Sequence, residues 1–182
     1  MRYLIILLCT FFLIPSSNAQ EFVRELDKKT EKVLLRGHIT FDDILKETTC
    51  NWLQKGSTTY KPQKAYIDDL SKIWSEYRFV VFAGTWCGDT KDLLPKFYKV
   101  LLEAGIDINA VEMYGVNREK QALNIESTLY SITRVPTIIV MQKSREIGRI
   151  IESVNTTIEE DLDKIIRSDY EKMQMERSKF MK

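Results

Sequence analysis

Cys87 is the residue of this chain best placed to do chemistry, and its neighbours say what kind. It lies within Phe82-Ala83-Gly84-Thr85-Trp86-Cys87-Gly88-Asp89-Thr90. The apolar run from Phe79 to Ala83 predicts a strand, the Trp86-Cys87-Gly88 turn follows, and a helical pattern begins at about Asp89. A thiol at that junction stands at a helix N-terminus. Unpaired backbone N–H groups and the helix dipole there favour a thiolate, the form that attacks disulfides. The position that would complete Cys-x-x-Cys is held by Thr90. The sequence carries one half of a dithiol site.

The other cysteines are Cys9 and Cys50. Cys9 falls within residues 1–19, which are expected to be an export signal. Arg2 precedes an uncharged stretch from Tyr3 to Ile14, and the small residues Ser17 and Ala19 suit a cut before Gln20. That stretch of twelve residues is shorter than the roughly 20 a spanning helix needs, so no stable membrane span is expected after cleavage. The mature chain would then work outside the cytoplasm, in the periplasm of a Gram-negative bacterium or secreted otherwise, where disulfides persist. Cleavage removes Arg2 and no acid, so the formal charge falls from +1 to 0. Nothing in that balance points to nucleic acid as a partner. No His/Cys/Asp cluster has metal-ligand spacing, so neither a metal nor a cofactor is expected, and the lone His38 has no clear role as a base.

Cys50 lies 37 residues before Cys87, beside Trp52. Three readings stand open for it: a buried small hydrophobe, the resolving thiol of a redox switch with Cys87, or one end of a structural bridge.

The elements that must position Cys87 follow from periodicity. We expect one domain over 78–182, preceded by an extension over 20–77 packed on it. In the extension, Lys32 to Thr40 leans to strand, and Thr40 with Asp43 predicts a capped short helix from Phe41. The Cys50–Lys61 stretch, with Gly56 and Ser57-Thr58-Thr59, is expected to be irregular, and Pro62 to open a helix running to Tyr77. After the strand at Phe79, a helix to Ala104 is kinked at Pro95, and a strand follows over Ile108 to Met113. A short helix near Glu126 leads to Pro136, which opens a strand from Thr137; Glu146 to Ser153 predicts another. Thr156 and Glu159 predict the cap of the last helix.

From Phe79 to Tyr170 the chain resembles the thioredoxin superfamily. Trp86-Cys87-Gly88 matches that family's active-site turn, Lys91 and Pro95 stand four and eight residues after Cys87 as they do there, and Arg134-Val135-Pro136-Thr137 matches its cis-proline segment. The resemblance implies an α/β fold with a central mixed sheet flanked by helices, here with a mainly helical N-terminal extension. Three departures matter. Thr90 stands in place of the resolving cysteine, Val81 in place of a buried aspartate that serves that cysteine, and Ser144 at a turn position often held by glycine.

The resemblance therefore implies thiol–disulfide exchange through a monothiol site, with exported protein thiols or disulfides, presented as extended segments, as partners. Cys87 would be the nucleophile, Lys91 a nearby cation, and the Thr90 hydroxyl a hydrogen-bond donor to its thiolate. Trp86, Gly88, Asp89, Val135 and Pro136 would shape the substrate groove. The rival expectations are a redox-inactive binding module built on the same groove, and a Cys50–Cys87 redox switch.

Overall fold

The computed structural model describes residues 22–180. The expected signal over 1–19 and its cut before Gln20 lie outside the described residues. Among those described, no helix is long and apolar enough to cross a membrane.

Six strands form one mixed sheet: β1 (Phe22–Leu26), β2 (Val33–Ile39), β3 (Tyr77–Ala83), β4 (Glu112–Gly115), β5 (Thr137–Gln142) and β6 (Arg145–Ile151). Their spatial order is β1-β2-β4-β3-β5-β6. Only β3 and β4 run parallel; every other neighbouring pair is antiparallel. β3 is central and almost wholly buried, which is why Phe79 to Ala83 is an unbroken apolar run. Its side chains alternate between two apolar clusters. Phe79, Val81 and Ala83 join the larger one, under the helices, and Val80 and Phe82 the smaller one on the opposite face.

Among the described residues six α-helices accompany the sheet: α1 (Phe41–Lys46), α2 (Trp52–Thr59), α3 (Lys64–Ile73), α4 (Gly88–Glu103), α5 (Glu126–Leu129) and α6 (Ile158–Phe180). The capping box of α1 is formed: Asp43 N–H donates to Thr40 Oγ1 at 3.1 Å, and Thr40 N–H to Asp43 Oδ2 at 2.9 Å. α4 carries Pro95 inside it and buries Leu93, Leu94, Phe97, Val100 and Leu101.

Several elements depart from expectation. The extension is mainly helical as expected, but its β1 and β2 also lengthen the sheet on its β4 side. The stretch expected to be irregular contains α2. Its glycine marks a packing face rather than a turn: a Cβ at Gly56 would come within 2.6 Å of Pro95 Cβ. Leu53 and Ser57, one turn apart on the same side, are buried. Pro62 lies before α3, which stops at Ile73, and Tyr77 already belongs to β3. The 108–110 segment is a single turn of 3₁₀ helix, so β4 starts only at Glu112. α6 is preceded by Thr157, whose Oγ1 accepts from Glu160 N–H at 3.4 Å, while Thr156 donates to Asp161. Glu159 does not close a capping box. It is fully buried and accepts from Tyr60 O–H at 2.7 Å and Gln63 N–H at 3.0 Å, tying the extension to the last helix.

Candidate active site

β3 ends at Ala83 and α4 begins at Gly88, so the four residues between them make the turn that carries the sulfur. Cys87 is the residue before the first turn of α4; its carbonyl accepts from Lys91 N–H at 3.2 Å. Its side chain makes no capping bond to the helix. Instead Cys87 Sγ donates to Val135 O at 3.3 Å and faces Asp89 Oδ2 at 3.9 Å. The Val135–Pro136 peptide bond is cis. Cys87 is half-buried, Gly88 and Asp89 are exposed, and Val135 and Pro136 are buried beneath them. Cys87, Asp89, Val135 and Pro136 are thus brought together at one end of the sheet.

Trp86 forms one wall. Its Nε1–H donates to Val116 O at 2.9 Å, and its indole lies against Gly84, where a Cβ would sit 2.8 Å from the ring. Gly84 is needed for that close approach.

One assigned role is corrected. Thr90 is fully buried and its Oγ1 accepts from Gly84 N–H at 3.3 Å; no hydrogen bond joins it to Cys87. The hydroxyl is turned into the fold, where it satisfies a backbone donor at the end of β3. Lys91 lines a cavity of about 100 Å³ with Thr49, Thr85 and Trp86, and its charge acts on Cys50. It therefore leans toward the extension.

Cys50 is 2% exposed and belongs to the larger apolar cluster, whereas Cys87 packs against the smaller one. Both cysteines are free, so the structural bridge is absent. Burial pushes the Cys50 thiol up, and the Glu47 carboxylate adds to this against the Thr49 hydroxyl and Lys91. A resolving thiol must be accessible and able to ionise, and Cys50 is placed for neither. Its surroundings fit the buried small hydrophobe.

The sequence reading missed Asp27, Thr85 and Arg118. Thr85 Oγ1 accepts from Leu35 N–H at 3.2 Å and so fastens β2 to the active-site turn. Arg118 lies over the Trp86 ring, its Cζ 4.8 Å from the centroid. It donates through Nε and Nη2 to the two carboxylate oxygens of Asp27, at 2.7 and 2.8 Å. No motif flags these residues, because Asp27 and Arg118 are 91 residues apart and meet only when β1 and β2 join the sheet.

The Arg118 guanidinium and the Thr30 hydroxyl hold the Asp27 carboxyl far below the usual carboxylate range, against the effect of burial. A carboxyl lowered by folding contributes stability that is full above its unfolded value, about 4, and is lost as pH falls through the folded value. Asp27→Asn is therefore expected to lower the thermal midpoint at pH 7, with the gap to wild type narrowing once pH drops below about 4. Thermal melts at pH 7 and at about pH 2.5 read this. A gap that stays constant would contradict it.

A family model described as thioredoxin matches residues 58–167, more than half of the chain, and so takes in α3 as well as the site. Solved structures similar to the chain include a protein of unknown function from Pseudomonas aeruginosa, 16% identical, with a TM-score of 0.47, covering 73% of this chain and 84% of that one. Mitochondrial thioredoxin 3 from Saccharomyces cerevisiae is 18% identical, with a TM-score of 0.36, covering 62% of this chain and 98% of its own. A Schistosoma mansoni thioredoxin is 23% identical, with a TM-score of 0.37 and coverages of 60% and 93%. No curated protein matches the chain.

Proposed function

This chain belongs to the thioredoxin family, whose function is of the thiol-redox type, and on that premise we propose that it exchanges thiols and disulfides on exported proteins through Cys87 alone. The observation that carries this reading is the half-buried Cys87 sulfur at the start of α4, beside Val135 and Pro136, with a buried Thr90 where a second thiol would stand.

The chemistry is two substitutions at sulfur. The Cys87 thiolate attacks one sulfur of a substrate disulfide. A Cys87–substrate disulfide forms, the substrate S–S bond breaks, and the other substrate sulfur leaves as a thiolate. A third thiolate then attacks the substrate sulfur of that adduct, makes a new disulfide with it, and returns Cys87 as thiolate. When the third thiol belongs to the substrate, the net result is isomerisation without oxidation. When it is a small-molecule thiol, the substrate is left joined to that molecule.

Trp86, Gly88, Asp89, Val135 and Pro136 would form the groove that holds an extended substrate segment. Export is supported by the charged start, apolar stretch and small residues of the first nineteen positions. The site of action would be the periplasm of a Gram-negative bacterium, or the exterior otherwise.

The test is recovery of activity by a scrambled disulfide-bonded protein in the presence of a small thiol. The mature chain is expected to speed native pairing, and its Cys87→Ser variant to have no effect beyond the thiol alone. Equal rates with the two proteins would overturn catalysis and leave a groove that binds without turnover.

A further inference from the structure

We propose that Asp89 is the specificity-determining residue of the Cys87 site. Its carboxylate makes the mouth negative, so that the sulfur favours disulfides and thiols that bring a cation over those that bring a carboxylate. The inference rests on the exchange chemistry proposed for Cys87.

The charged side chain in contact with the sulfur is Asp89: its Oδ2 stands 3.9 Å from Cys87 Sγ, and the residue is exposed. Among the described residues it joins no ion pair, so no lysine or arginine cancels its charge. The space beside the sulfur is open, since a Cβ at Gly88 would meet no atom within 4 Å. With Val135 buried beneath, an incoming group reaches the sulfur over the exposed Gly88 and Asp89.

The bare start of a helix draws anions, because its unpaired N–H groups amount to about half a positive charge. Asp89 lies in the first turn of α4 and sets a full negative charge there. The balance at the sulfur is therefore negative by about half a charge. The cations of the neighbourhood lie around Trp86 instead. Arg118 is paired with both carboxylate oxygens of Asp27, at 2.7 and 2.8 Å. Lys120 stands 5.9 Å from the Trp86 centroid, and Lys91 lines the cavity with Thr49 and Thr85.

Both exchange steps meet this charge. When the Cys87 thiolate attacks a disulfide, a bond forms between Cys87 Sγ and one substrate sulfur, the substrate S–S bond breaks, and the other sulfur leaves as a thiolate. The retained group then sits beside Asp89, and the thiolate that later frees Cys87 must approach past the same carboxylate. Two unit charges about 5 Å apart in water interact by a little more than RT, a factor of about four in rate.

The test compares the full reduced protein with its Asp89→Asn variant at low ionic strength, with peptide mapping to assign products to Cys87. Iodoacetate and iodoacetamide differ by one carboxylate and alkylate the same sulfur. The ratio of their rates reads the charge at the mouth and cancels any change in the sulfur's own reactivity. Asp89→Asn is expected to raise the iodoacetate-to-iodoacetamide ratio about threefold or more. Salt at about 0.5 M should erase most of the difference between the two proteins. Between disulfides, the rate with cationic cystamine relative to anionic dithiodipropionate is expected to fall at least about fivefold in the variant. Asp89→Ser carries the same measurements if Asp89→Asn does not fold. Unchanged ratios in a folded variant, with only a lower thermal midpoint, would overturn the proposal and leave Asp89 an acid that stabilises the start of α4. A changed alkylation ratio with no reaction toward either disulfide would sink the exchange reading and leave the charge effect standing. Exchange with both disulfides at unchanged ratios would do the reverse.

Discussion

A Thr90→Cys chain is expected to release its mixed disulfides by internal attack at least about 10-fold faster than wild type, because an intramolecular thiol at this spacing acts at high effective concentration. Position 87 is the N-cap of α4 and position 90 lies in its first turn, the spacing of a Cys-x-x-Cys site. The new sulfur would lie in a fully buried position and would replace a hydroxyl that accepts from Gly84 N–H, so a stability loss of about 1 kcal/mol should accompany the gain. The measurement is the lifetime of a Cys87 adduct with a model disulfide peptide, followed by mass. No acceleration in a folded variant would show that the first turn of α4 does not present the two sulfurs to one another. The wild-type site would then be more than a dithiol site lacking one atom.

The largest stability effect is expected in the extension. Phe41 is 1% exposed, and its ring centroid lies 4.8 Å from Tyr98 and 6.4 Å from Phe97, both on α4. Phe97 in turn meets Phe79 of β3 edge-on at 5.4 Å. Truncating such a residue leaves a cavity, and Phe41→Ala is expected to cost about 3–5 kcal/mol. Urea unfolding should show one transition at a lower midpoint, since α1, α4 and β3 share one cluster. A loss below about 1 kcal/mol, or an early separate transition, would mean that the extension is only loosely docked.

The parts of the fold legible in the sequence were those with strong local signals. The unbroken apolar run of β3, the Trp86-Cys87-Gly88 turn and Pro95 each constrain the backbone where they stand, and Thr40 with Asp43 closes its box within four residues. β1 was not legible. Phe22-Val23-Arg24-Glu25-Leu26 is short and half polar, and it becomes a strand by pairing with β2 at the sheet edge. α2 was hidden because Gly56 signals a turn locally, yet serves here to let Pro95 approach. Glu159 was misassigned for a related reason: its partners, Tyr60 and Gln63, are nearly a hundred residues away.

The site shows the same division. Cys87, Trp86, Val135 and Pro136 could be placed because they sit at characteristic offsets in the chain. The surroundings of the sulfur could not, since they depend on which way side chains turn. Thr90 points into the fold toward Gly84, Lys91 leans to the extension, and the cation laid over Trp86 comes from the loop after β4, oriented by a carboxylate of the β1–β2 turn. Such long-range charge pairs leave no periodic trace.

The central claim is that one sulfur, Cys87, makes and breaks bonds while Cys50 stays silent in the core. Peptide mapping of the reduced protein after reaction with a model disulfide peptide tests it most directly. The account predicts a single adduct on the peptide containing Cys87, released by added thiol, with Cys50 recovered as free thiol. An adduct on Cys50, a Cys50–Cys87 disulfide, or no adduct at all would contradict it.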